Sequence, residues 1–350
     1  MMGFGKYLLY RLFNAALILF FVVLLTSTLF VKLADVTLQS QIQETVQAEW
    51  NAYAQHHPGG HVNQSEFIKK RTQYWIEYYG LNKPYRTRVW ETTIKTLKFD
   101  FGQTRQTIFG TRDAAKIIKV ALPRTILLFT TAQIIVILIG ILLGVKCAQK
   151  PGSTLDRAIS ILAMVTASLP MWWFGMVMIL IFAFKLGWFP VNSFPDPNLT
   201  GLAHVKDVLW RMVLPVVTIV TVLFGGWAWT TRNIMIGTMQ EDFIMAARAK
   251  GVPERKVIYG HALRAAAPPI VTMTIFSLLS SFGGAIITEA VFNWPGMGRL
   301  YWIALQQNET TLIVGLTYIS TLLYLIGMIL ADLTYALLDP RVKVGASASM

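Results

Sequence analysis

The stretch TILLFTTAQIIVILIGILLGV, residues Thr125 to Val145, contains no Asp, Glu, Lys or Arg. Crossing the hydrocarbon core of a bilayer, about 30 Å thick, takes roughly 20 apolar residues of helix. Backbone N–H and C=O groups find no water there and must be paired within the segment. This stretch is long enough to do so. Working outward from it, five more uncharged stretches appear: Leu12 to Val31, Ala158 to Phe184, Met212 to Thr231, Ala265 to Thr288 and Thr310 to Ala331. A large soluble protein can bury one such helix but hardly six. The composition agrees, since 14% of the 350 residues are charged, against about 25% in ordinary soluble domains. The expected fold is an all-α membrane protein with six transmembrane helices.

Lys6 and Arg11 precede the first stretch, as they would in a secretory signal. Its apolar run exceeds the usual length of about 7–15 residues and no A-x-A pattern follows, so it reads as an uncleaved anchor. Basic residues in short loops set orientation, because cytoplasmic loops retain them. With the N-terminus inside, the inner segments hold thirteen Lys and Arg, among them Lys146, Lys150, Arg157, Arg232, Arg248, Arg264, Arg341 and Lys343. The short outer loops hold only Lys185, Lys206, Arg211 and Arg299. Both termini are therefore expected in the cytoplasm. The organisation is a membrane anchor helix over 1–35, an external helical segment over 36–110, a core with five spans over 111–340 and a cytoplasmic tail over 341–350, with a cytoplasmic loop at 233–264. The net charge of +13 follows from this topology and from anionic headgroups rather than from nucleic-acid binding. The single Cys147 excludes an internal disulfide or a cysteine metal cluster and reads as a packing residue.

In the external segment, Val36 to His57 is polar and helix-favouring, and PGGH then breaks it. A second helix is expected from Ser65 to Tyr79, with Phe67, Tyr74, Trp75 and Tyr78 on one apolar face. His56, His57 and His61 have the spacing of a shared transition-metal site. No carboxylate or cysteine stands beside them, so a solvated turn is preferred and no metal is assigned. Pro170 removes a helical hydrogen bond inside the third stretch and predicts a kink or break. Gly225-Gly226 and Gly283-Gly284 allow close helix approach or hinging. No stretch carries a charge near its centre; Glu289 and Asp332 lie at edges. A proton- or sodium-coupled carrier usually keeps such a group inside, and the chain has no G-x-x-x-x-G-K-[ST] phosphate loop. The energy source is expected on another chain.

The charged passage MAARAKGVPERKVIYGHALRAAAPPI, Met245 to Ile270, lies between two spans on the cytoplasmic side. Asp242 near the start of a short helix and Arg248 and Lys250 near its end suit the helix dipole. Gly251 ends it and Pro253 starts the next. An ordinary headgroup-bound loop and a docking element for a soluble partner are the two readings.

Ala246-Ala247, three residues and Gly251 resemble the cytoplasmic EAA loop of ABC-importer permeases, and ARAKG followed by HALR and Pro is similar to its dipeptide, oligopeptide and nickel branch. Met245 stands where that pattern has Glu; Glu241, one turn earlier, is the candidate to take its place. YGLNKPYRTRVWETTIKTLKFDFGQT, GSTLDRAISILAMVTASLPMWWFGM, LGWFPV, TEAVFNWPGMGRL and LADLTYALLDPRVK follow the family's order. The external segment after the first span resembles the first of the two permease subunits. The resemblance implies the type I ABC-importer permease fold in a prokaryotic inner membrane. It also implies a second related permease, two cytoplasmic ATPase subunits holding ATP and Mg, and an external solute-binding protein. The chain itself would be a transport subunit, not an enzyme, with no cofactor. Glu241, Asp242, Met245, Ala246, Ala247, Arg248, Lys250 and Gly251 would couple it to an ATPase. Trp294, Pro295, Gly296 and Gly298 would form an external loop at the cavity mouth, with an interfacial aromatic anchor as the other reading. Pro170, Gly225, Gly226, Gly283 and Gly284 are hinge or packing positions. The cargo expected is peptides, with oligosaccharides or nickel as alternatives and a stand-alone ion-driven carrier as a distant one.

Overall fold

The computed structural model describes residues 4–57 and 63–338; His61, Arg341, Lys343 and the tail 341–350 lie outside the described residues. In chain order the elements are α1 Phe4–His56, α2 Gln64–Tyr78, α3 Tyr85–Leu97, and the antiparallel strands β1 Gln103–Ile108 and β2 Thr111–Asp113. Then come α4 Ala114–Gln149, α5 Thr154–Ser168, α6 Met171–Met178 continued by a π-helical stretch Ile179–Lys185, and α7 Gly201–Met239. After them follow α8 Asp242–Ala249, α9 Glu254–Lys256, a π-helical stretch Val257–Ala262, α10 Leu263–Ser280, α11 Ile286–Phe292, α12 Met297–Gln306 and α13 Thr310–Leu338. Among the described residues five helices are long and apolar enough to cross a membrane, and the α5–α6 pair makes a sixth span if counted as one. The expected all-α membrane architecture is present, with one hairpin added.

The third span is broken rather than kinked: α5 and α6 meet at 100°. Proline pushes the residue before it out of the helical region, and Leu169 accordingly has φ −87° and ψ 125°. The chain restarts at Met171 behind Pro170.

The chain divides into two compact units. One comprises Met1–Phe13, Val120–Trp302 and Leu322–Met350. Within it α4, α5 and α7 touch where side chains are missing. A Cβ on Gly225 of α7 would stand 2.7 Å from the Ala163 Cα of α5, and a Cβ on Gly144 of α4 would stand 2.6 Å from the Ala228 carbonyl oxygen of α7. Cys147 is buried with Ile159 and Ala228, the packing place expected of it. Arg232 of α7 grips Asp156 of α5 with two nitrogens, Nη2 at 2.8 Å from Oδ2, and Arg11 pairs with Asp332 at 2.8 Å. Gly226 and Gly283 have open space where a Cβ would stand, so packing accounts for Gly225 but for neither of these.

The other unit comprises Asn14–Lys119 and Ile303–Thr321. The polar stretch Val36 to His57 is not a separate helix but the continuation of the first span. Helix α1 has 53 residues, about 80 Å at 1.5 Å per residue, and no helix breaker falls where the apolar run ends. Helix α2 is held to α1 by the Arg71 guanidinium, which donates to both Glu49 carboxylate oxygens at 2.6 and 2.7 Å. Phe67 packs on Trp50 and Tyr53, and Trp75 donates to Glu49. Tyr74 and Tyr78 instead turn outward and are exposed, so the single apolar face expected for this helix is split. The His57 ring stacks on Tyr53, and no metal-holding group of three side chains occurs among the described residues.

Gly225→Ala places its methyl against α5 backbone that cannot swing aside and should cost about 1–3 kcal/mol. Gly226→Ala meets nothing and should gain helix propensity. Thermal unfolding of the two variants in detergent checks the pair: the first melts several degrees below the parent, the second no lower than it.

Candidate functional site

Two loops of the first unit bring together the residues singled out in the sequence. The first joins α7 to α10. Its short helix α8 ends in a Schellman arrangement: the Val252 N–H donates to the Ala247 carbonyl at 3.2 Å and the Gly251 N–H to the Arg248 carbonyl at 2.9 Å. That closure needs a left-handed residue after the cap, and Gly251 has φ +73° with no neighbour near a Cβ position. Glycine is demanded here by backbone conformation, not by crowding. Val252 and Ala247 pack on the cluster beneath, the apolar contact that goes with the motif.

The face that α8 turns inward is carried by Ile244, which is completely buried against Val145, Met235, Val257, Ile258 and Ala262. Phe243, Met245 and Ala246 face outward and are exposed. Of the anticipated residues, Glu241, Asp242 and Lys250 are exposed, while Ala247 is half-buried. Arg248 is engaged inside the loop, its Nη2 donating to Glu254 Oε1 at 2.7 Å. Ile244 and Phe243 were missed in the sequence. The signal was available in the spacing, since Ile244 and Ala247 are three apart on one helical face.

The second loop runs from Gly284 to Leu300. Trp294 is completely buried among Leu128, Phe129, Met212 and Ile219, and its indole Nε1 donates to the Arg124 carbonyl at 3.0 Å. An exposed interfacial anchor is thereby excluded for this side chain. At the centre of the loop lies a group whose burial was not anticipated. Glu289 is completely buried. Its Oε1 accepts from the Thr125 hydroxyl at 3.0 Å, and its Oε2 from the Gly298 and Arg299 N–H groups at 3.0 and 3.3 Å. The same Thr125 oxygen accepts the Met297 N–H at 2.7 Å. Helix α12 thus begins with its first N–H groups satisfied by side chains of α11 and α4, in place of a cap of its own.

Glycines make room for this carboxyl. A Cβ on Gly296 would collide with Glu289 Oε2 and Thr125 Oγ1, and one on Gly284 would stand 2.5 Å from Glu289 Oε1. Gly284 also has φ +65°. Gly298 abuts the Ala285 carbonyl and Ile286 instead. Burial pushes the Glu289 carboxyl up from its ordinary value to about 7, against the opposite pull of its donors. Pro295 is buried beside Trp294, so all four anticipated loop residues surround or adjoin this site. In the sequence Glu289 was one acid at the end of an apolar run; only the return of α12 onto α11 encloses it.

A family model described as "Binding-protein-dependent transport system inner membrane component" matches residues 137–344. Among similar proteins, the "Oligopeptide transport system permease protein AppB" of Bacillus subtilis is 32% identical over 269 residues, covering 77% of this chain and 84% of that protein. The "Dipeptide transport system permease protein DppB" of Escherichia coli is 32% identical over 63% of this chain and 70% of its own length. The "Peptidoglycan transport system permease protein YejB" of Agrobacterium fabrum is 30% identical over 79% of this chain and 76% of its own length.

Ile244→Ala removes the buried side chain that holds α8 to the cluster and should cost about 2–5 kcal/mol. Phe243→Ala, on the open face, should leave stability unchanged within about 0.5 kcal/mol. Amide hydrogen exchange over 242–250 separates them, with protection lost in the first variant and kept in the second.

Proposed function

We propose that this chain, which belongs to the family of binding-protein-dependent transport system inner membrane components, is the membrane-spanning subunit of an ATP-driven importer of di- and oligopeptides. The observation that carries the mechanism is helix α8, clamped on one face by Ile244 and open on the other at Phe243, Met245 and Ala246. A rigid short helix fastened to the ends of two spans transmits a push from a soluble partner. A helix floating in a loose loop would absorb it. In this reading α8 sits on a cytoplasmic ATPase subunit, and both termini lie on that same side. ATP with Mg is bound and hydrolysed on the two ATPase chains, this chain holding no cofactor. A second related permease completes the pathway, and a solute-binding protein delivers cargo to the opposite face, where the Gly284 to Leu300 loop lies.

Coupling requires that the docked helix make different contacts in the two states of the ATPase pair, since a partner shifts an equilibrium only through differential affinity. The Arg248–Glu254 pair and the Gly251 closure keep α8 in one shape while this happens. The peptide cargo is supported by what AppB and DppB are named for. The similarity to YejB favours a second reading in which the cargo is a peptide-bearing cell-wall fragment.

Gly251→Val forces a β-branched residue into a left-handed conformation, at a cost of about 1–2 kcal/mol, and so distorts the closure of α8 while leaving the spans intact. Expected are a normal amount of chain in the membrane, loss of copurifying ATPase chains and loss of labelled-dipeptide uptake. Phe243→Asp, on the open face, tests the docking surface without touching the turn. Full uptake in both variants would show that α8 is not the coupling element.

A further inference from the structure

Glu289 is a buried carboxyl that the coupling account does not use. Among the described residues its partners are the Thr125 hydroxyl and backbone N–H groups of Gly298, Arg299 and Ala285, not a cation. A helix end and a threonine could be joined by a small neutral side chain, without desolvating an acid at considerable cost. The contacts also have a mechanical sense. Thr125 belongs to α4, Glu289 to α11, and the donors Met297, Gly298 and Arg299 to the first turn of α12. Four hydrogen bonds through two side chains therefore tie three elements at one point. Gly284 and Gly296 close around that point so tightly that a Cβ on either would collide with the carboxyl and with Thr125.

We infer that Glu289 is a positioning residue for transport: it clips the start of α12 to Thr125 of α4, so that the Gly284 to Leu300 loop travels with α4 until the clip is released. This rests on the reading of the chain as an importer subunit. Releasing the clip puts the carboxyl in water, where its affinity for a proton returns to the ordinary carboxylate value. The clipped state holds the proton up to about pH 7. Between the two values the clipped state binds more protons than the released one, so raising the pH through this window favours release. Below the window both states are protonated and pH has no effect. The charged residues on the elements packed around Glu289 are Lys116, Lys119, Arg124 and Lys146 of α4 and Arg299 of α12, and of these Arg124 and Arg299 are next in sequence to Glu289's partners Thr125 and Gly298. The Arg299 guanidinium is turned to Asn293 and lies over the Phe194 ring, and the Arg124 side chain lines a cavity with His204 and Trp294. Neither guanidinium titrates in this window.

Uptake of a labelled dipeptide by cells carrying the whole transporter, followed from about pH 6 to about pH 8, tests the inference. The parent should rise several-fold across that range. Glu289→Gln keeps the shape but cannot ionise, and should be flat at the parent's acid level. Thr125→Ser, which keeps the hydroxyl, should behave as the parent. Thr125→Val, which weakens the clip, should raise uptake at the acid end toward the parent's alkaline level, and its effect should not add to that of Glu289→Gln in the double variant, because the two residues share one bond. A Glu289→Gln variant that keeps the pH slope, a Thr125→Val variant with the parent's acid-end uptake, or effects that add would overturn the inference. Amide exchange in the purified full chain needs no transport. Thr125→Val should speed exchange at Met297, Gly298 and Arg299 by about tenfold or more, and unchanged exchange there would also overturn the clip. If the amides respond while parent cells take up no dipeptide, the clip stands and the peptide cargo falls.

Discussion

The rest of this structure depends on the rule that a backbone polar group in hydrocarbon must find its partner within the protein. Six long uncharged stretches leave the chain no option but helix, and the places where helix stops are the informative ones. At Pro170 the break is sharp because proline both lacks a donor and displaces its predecessor. At Gly284 the chain takes a left-handed turn, and beyond it α12 starts with N–H groups that need acceptors. Glu289 and Thr125 supply them. What looks like a lone acid at a membrane edge is thus part of the same accounting that made the spans helical.

The loop between α7 and α10 solves a different problem, how to hold a short helix still outside the spans. Eight residues carry too few hydrogen bonds to be stable alone, so α8 borrows its stability from burial of Ile244 and from the Schellman closure at Gly251. Having spent one face on the cluster under it, the helix leaves Phe243 and Met245 open. In the proposed reading these two exposed side chains are the surface that the ATPase subunit covers. The Arg248–Glu254 pair links α8 to the start of α9 within the loop.

Glycine serves two separate ends here. Gly144 and Gly225 permit helices to approach within contact distance of backbone, while Gly251 and Gly284 allow conformations closed to other residues. Gly296 belongs to the first kind although it lies in a loop, because the atoms it admits are a carboxylate and a hydroxyl rather than a helix. Gly226 and Gly283, their sequence neighbours in each pair, answer neither need among the described residues.

By itself the sequence determined the class, the spans, an interruption at Pro170 and the short helix ending at Gly251, because each follows from local chemistry: absence of charge over a bilayer's width, a missing N–H, a left-handed turn. The ordered motifs also carried the family resemblance, through residues near one another along the chain. Tertiary structure alone decided that α1 continues unbroken to His56, that Tyr74 and Tyr78 face outward, and that Trp294 is buried rather than anchored at an interface. It alone decided that Glu289 meets Thr125 across 164 positions. The physical reason is common to all of these: burial is a property of what packs on the other side, and a residue's neighbours along the chain do not contain that information.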